Sequence, residues 1–209
     1  SITLYAGSSL ASSGPLSTPA ENIAIAGDGS LLRVSGDSSA SITRTAATSS
    51  SAPSLSIGAN ARIAGKGVIL DSTNASIIAP SLNLSASALT LGSGQISMLF
   101  EPQPTGLAGS EVNNHLILQG DFLTNAFASN ALTLQSYRTI DLYGSAASTH
   151  QLNSLKLLSS GVRGYTSAGT NIQINASDVL FSNPNSATGL ANPSTDAGRL
   201  SITAQNIRF

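Results

Sequence analysis

Several things are scarce in this chain, and each scarcity narrows what it is. There is no cysteine among the 209 residues, so disulfides and thiolate metal sites are excluded. Only 9% of residues are charged, and lysine occurs twice, at Lys66 and Lys156. With a net charge of −1 and no basic cluster, nucleic acid is not an expected partner. Aromatic residues make up 4%. No run of about 20 apolar residues occurs, so no helix is expected to span a membrane. No secretory leader is expected within these residues either. Low charge does not mean disorder here, because 41% of residues are hydrophobic and disordered chains combine high charge with low hydrophobicity.

What is abundant is one short phrase: aliphatic, any, aliphatic, any, small. It reads Ile2-Thr3-Leu4-Tyr5-Ala6 and returns opening at Ile23, Leu55, Leu82, Leu116, Leu132, Leu155, Ile172 and Leu200. The fifth position is Ala, Gly or Ser in all nine copies. Leu89-Thr90-Leu91, Val179-Leu180-Phe181 and Ile207-Arg208-Phe209 each start seven residues after a phrase opens, and Ile140-Asp141-Leu142 starts at eight. Apolar residues recurring at two, with a small residue at the corner and a second short run beyond it, predict paired short strands and argue against helix. Repetition at tens of residues predicts an all-β repeat architecture whose coils stack and bury aliphatics on one another. Nine coils at an inter-strand spacing of about 4.8 Å would make a rod about 45 Å long.

The whole of 1–209 reads as one such unit. Three stretches break the rhythm and predict projecting loops: 35–53, 101–114 and 182–198, rich in Ser, Thr, Pro, Gly and Asn. The chain is already inside a phrase at Ile2 and ends inside a strand pair at Phe209, so it is expected to be an internal segment of a longer repetitive protein. Exposed sheet ends on such a segment predict end-to-end self-association. The five phenylalanines are expected to plug the core where coil size changes.

With phrase and spacing established, the chain resembles the repetitive passenger of filamentous-haemagglutinin-like large exoproteins. The matching features are the Leu-x-Leu-x-Ala type phrases, the Asn/Ser/Thr/Gly-rich turns, and segments such as Leu132-Thr133-Leu134-Gln135-Ser136 and Asn171-Ile172-Gln173-Ile174-Asn175-Ala176. The resemblance implies a right-handed parallel β-helix, here of about nine irregular coils. It implies two-partner secretion from a Gram-negative bacterium through an outer-membrane β-barrel partner. The role it implies is the structural shaft of a cell-surface adhesin or of a contact-dependent toxin-delivery exoprotein. The phrase intervals of 16 to 34 residues are less even than in strictly periodic members. An autotransporter passenger would have the same repeat character.

Parallel β-helices also include lyases and hydrolases, so a carbohydrate-active enzyme is the first alternative. Glycoside hydrolysis needs two carboxylates about 5–9 Å apart. The ten acidic residues form no Asp-x-Asp or Asp-Asp pair. Asp28 and Asp121 fall in distant coils, Asp37, Asp71 and Asp196 read as loop residues, and Asp141 as a solvated outer-face residue. The expectation is therefore no enzyme, no catalytic residue and no cofactor. His115 and His150 stand beside loops, and Glu111 is the only further ligand type near His115, too few for a metal site. The second alternative is a module that binds a host glycan or surface protein through its loops. Tyr137 and Arg138 at one corner, with Tyr143 after the next strand, offer an aromatic and cationic contact, and Glu111 and His115 beside the second excursion are further candidate ligand contacts. The plainer reading of these five is ordinary surface packing.

Overall fold

A computed structural model describes residues 1–12, 22–37, 40–45, 53–101, 115–165, 171–184 and 199–209. The protein is mostly β, with eighteen strands and one helix among the described residues. The longest sheet is built by strands that add in sequence order: Ser9–Ala11, Arg62–Ser72, Asn83–Ser93, Ala131–Ser136, Ala146–Leu158, Asn171–Ser182 and Arg199–Thr203, every neighbour parallel. Asn206–Arg208 joins beside the second half of Asn171–Ser182. A second set holds His115–Leu118, Gln95–Leu99, Thr139–Tyr143 and Gly161–Tyr165, also parallel. A third holds Ile2–Leu4, Ser54–Ile57 and Ala75–Ile78.

Register explains the phrase. Val68, Leu89, Leu132, Leu155, Val179 and Ile207 lie opposite one another in successive strands, and so do Leu70, Leu91, Leu134, Leu157 and Phe181. Because side chains alternate with a period of two, one face of each strand delivers its aliphatics to the same row. These rows form the core: Leu89, Leu91, Leu132, Leu134, Leu155, Leu157 and Val179 are all at most 2% exposed. Ile96, Met98, Ile140 and Leu142 supply the facing rows from the four-stranded sheet.

The nine copies of the phrase are not equivalent, however. Leu132 and Leu155 stack on the second-run positions Leu89 and Val179, not on Leu82 or Ile172. Ile2 and Leu55 belong to the three-stranded sheet, and Leu116 to the four-stranded one. A pattern of two aliphatics and a small residue suits any strand that ends at a corner, so it marks strands without saying which sheet they enter. The small residue has a definite use at two corners. Ser136 Oγ donates to the Thr139 carbonyl at 2.7 Å, and Ser159 Oγ to that of Gly161 at 3.1 Å.

Four expectations need correction. Gly120–Phe127 is an α-helix, with Phe122, Ala126 and Phe127 buried. Their spacing of four and five is helical, and it was hidden by the neighbouring period of two. Gly120, at φ +54°, makes the turn from strand into helix. Second, 35–53 is not all loop: Ser41–Thr45 is a strand, paired in parallel with Asn22–Ala26. Third, not every strand is parallel. Ser30–Ser35 runs antiparallel along Gly67–Ser72 and places Leu32 and Val34 beside Leu70 and Val68. Phe209 is no core plug either: it is 95% exposed and stacks on Phe181 at 5.4 Å. The excursions 101–114 and 182–198 lie largely outside the described residues, and Glu111 with them.

Candidate functional site

The outward face of the long sheet carries the chemistry. One outward row, read strand by strand, is Arg33, Ile69, Thr90, Thr133, Lys156, Leu180 and Arg208. Beside it runs Ala88, Ala131, Ser154 and Asp178. On the other side Gly92, Gln135 and Leu158 are in register. A cleft of about 180 Å³ lies over these rows, walled by Ser41 and Ile42 of the arm formed by Asn22–Ala26 and Ser41–Thr45. Its lining is hydroxyl, amide and methyl, with the Lys156 ammonium as the one charge among the described residues.

A buried polar cluster fastens the arm that makes this wall. Arg44 donates to Asp71 Oδ2 from Nε at 3.1 Å and from Nη2 at 2.5 Å. Both side chains are fully enclosed. The same guanidinium donates to the carbonyls of Gly27 and Gly29, each at 3.2 Å. Tyr137 donates its hydroxyl to Asp71 Oδ1 at 3.1 Å and accepts from Gln135 Nε2 at 3.3 Å. Gly92 makes the reach possible, because a Cβ there would stand 1.8 Å from Asp71 Oδ1. Burial raises the Asp71 carboxyl above its ordinary value, with the Arg44 and Tyr137 donors opposing it. For Arg44, burial acts against the charge but the Asp71 carboxylate outweighs it and holds the guanidinium above its ordinary value. Three donors on two oxygens favour the charged pair at neutral pH. Burial, reinforced by the Asp71 charge, raises the Tyr137 phenol well above its ordinary value.

A second cluster lies on the outward face of the four-stranded sheet. Asp141 is 1% exposed, not solvated as its strand position had suggested. It accepts from Arg163 Nε at 2.8 Å, Arg163 Nη2 at 2.7 Å and Gln95 Nε2 at 2.6 Å. The hydrogen bond from Arg163 to Asp141 raises the guanidinium above its ordinary value, with burial opposing. Tyr143 and Tyr165 stack at 4.9 Å one strand apart, and the Arg163 guanidinium stands 5.4 Å from the Tyr165 ring. Ser97 Oγ lies 3.2 Å from His115 Nδ1.

Of the five residues singled out in the sequence, Glu111 lies outside the described residues, and the other four do not form one site. Tyr137 is 4% exposed and anchors Asp71, and Tyr143, 2% exposed, is a stacking partner within the sheet. Neither presents a free aromatic face. Arg138 is exposed at the corner between them. His115 is 8% exposed at the start of its strand. Asp71 is no loop residue: it is 0% exposed, within Arg62–Ser72. The residues missed were Thr90, Thr133, Gln135 and Lys156. Aligning Leu132 on Leu89 instead of Leu82 would have brought them together. Among the described residues, no three His, Asp or Glu gather as a metal site would require. No helix among them is long and apolar enough to cross a membrane. No known protein family, no curated protein and no solved structure matches this chain.

Proposed function

We propose that the chain winds as a right-handed parallel β-helix and serves as a segment of the structural shaft of a secreted bacterial cell-surface exoprotein. The observation that carries this reading is the long sheet. Its strands add strictly in sequence order, parallel, with aliphatic rows continuous through them. Seven strands that return to the same rows and add in one direction support coiling about an axis. Right-handed coiling follows from the preference of parallel crossovers. Seven strands at about 4.8 Å make a stack about 30 Å tall, shorter than nine coils would be. The work of such a stack is mechanical: it keeps a binding or toxin-bearing element at a fixed distance from the cell. Secretion by the two-partner route, with an outer-membrane β-barrel as export partner, is the route the family resemblance suggests.

Antibodies raised against the folded 209-residue chain, applied to the organism that produces the parent protein, test the reading. Labelling of intact cells, or of protein released by them, is expected. Labelling that appears only after the cells are permeabilised would refute it.

A further inference from the structure

We propose that the cleft on the outward face of the long sheet binds an acidic monosaccharide unit, a pyranose ring bearing a carboxylate. This assignment stands apart from the shaft reading, since it follows from the cleft's own lining.

Three features set the ligand class. The first is spacing. Thr90, Thr133 and Lys156 are register partners on successive strands, so two hydroxyl-bearing side chains and a lysine leave the sheet in line at backbone steps of about 4.8 Å. The row spans about 10 Å, enough for one substituted ring. At about 180 Å³ the cleft takes a single ring and is smaller than the roughly 300–1,000 Å³ of drug-sized sites. The second is donor type. Threonine hydroxyls both donate and accept, which matches a ligand covered in hydroxyls. A site for bare phosphate would present an arginine fork or a nest of backbone N–H groups, and the ladder already uses the backbone here. The methyl groups of Ala131 and Ile42 offer the ring's C–H face an apolar bed.

The third feature is charge. Lys156 is exposed, and among the described residues no acid lines the cleft. The acids closest in register are already engaged: Asp71 is paired with Arg44, and Asp178 accepts from Asn206 Nδ2 at 3.0 Å. At the far end of the same row, the Arg33 guanidinium is buried, with no hydrogen-bond partner for Nη1 and Nη2 among the described residues, so a second cation adds to the field along the row. The net field favours a carboxylate at the Lys156 end. An extended peptide is disfavoured, because strand addition needs a free sheet edge and this is a sheet face.

Titration of the ¹⁵N-labelled 209-residue chain by NMR tests the assignment, with glucuronate and N-acetylneuraminate as probes and glucose and acetate as comparison arms. Saturable shifts at the amides of Thr90, Thr133 and Lys156 are expected with at least one acidic sugar. Lys156→Gln should weaken that binding at least tenfold and Thr133→Val severalfold, while Lys66→Gln, the same charge change away from the cleft, leaves it unchanged. Acetate binding as tightly as the acidic sugars would reduce the site to an anion site and overturn the saccharide. Glucose binding equally would overturn the role of the charge. No saturable shift with either acidic sugar, or wild-type affinity in a folded Lys156→Gln variant, would overturn the proposal outright.

Discussion

Replacing Asp71 by alanine should detach the arm from the sheet before the sheet itself fails. Asp71 is the sole acidic partner of Arg44 shown, and both side chains are fully enclosed. Removing one member of such a pair leaves a buried, uncompensated charge, a loss of about 3–5 kcal/mol. The Tyr137 hydroxyl also loses its acceptor, for about 1 kcal/mol more. The sum, roughly 4–6 kcal/mol, approaches the whole stability of many domains. The chain has a cheaper response. Lifting Asn22–Ala26 and Ser41–Thr45 away lets water reach Arg44, so the loss is capped at the free energy that docks the arm. Hydrogen exchange therefore separates the two regions. Amides of Ile23, Ile25 and Thr43 should lose protection by about 100-fold or more, equivalent to about 2.7 kcal/mol. Amides of Leu132–Leu134 and Leu155–Leu157 should keep theirs. A compensating pair, Arg44→Met with Asp71→Val, should recover much of the arm's protection, because well-packed apolar residues can replace a buried ion pair. Unchanged arm exchange in Asp71→Ala, with stability within 1 kcal/mol of wild type, would refute the reasoning.

Other expectations follow from neighbouring contacts. Gly92→Ala places a methyl where Asp71 Oδ1 lies. It should destabilise by about 1–3 kcal/mol, and most of that loss should vanish in an Asp71→Ala background, as measured by urea unfolding. Leu134→Ala opens the middle of a continuous aliphatic row and should cost about 3–5 kcal/mol on the same assay. Arg163→Met leaves the Asp141 carboxylate buried with only Gln95 as a shown donor. A loss of about 2–4 kcal/mol is expected in urea, and Arg163→Lys should not restore it fully because the two-pronged contact needs a guanidinium. The Tyr137 phenol is held above its ordinary value of 10.0 when folded. Its contribution is then fully present below pH 10 and is lost as pH rises through the folded value. The stability difference between wild type and Tyr137→Phe should therefore hold steady to about pH 9 and shrink above about pH 10.

Much of the β character was legible, because a period of two with a corner residue is a local property. Leu89, Val179 and Ile207 were picked out as second runs, and they do share one row. Sheet membership was not legible: the same phrase at Leu55, Leu116 and Leu132 enters three different sheets, and only long-range register separates them. The polar clusters were harder still. Nothing near Arg44 in sequence announces Asp71, 27 residues on, or Tyr137, 66 residues beyond that. Asp141 and Tyr143 looked solvent-facing because alternation assigns a side, not a degree of cover. The helix at Gly120–Phe127 was lost because eight residues give barely two turns of a 3.6 period inside a field of alternation.

The strand Ser30–Ser35 gives the long sheet a direction. On one side Arg62–Ser72 meets the next parallel strand, Asn83–Ser93, while its other edge is closed by Ser9–Ala11 and the antiparallel Ser30–Ser35. A parallel strand copies its neighbour's register and hands it on, whereas an antiparallel one ends the copying. Polymerisation therefore has a seed and a growing end: order entered beside Arg62–Ser72 can pass only toward Arg199–Thr203. A chain emerging through a pore with its N-terminal side first would meet the seed already formed, and each later repeat would fold onto a finished template. For a chain exported in that way, such folding would act as a ratchet, drawing it outward one strand at a time.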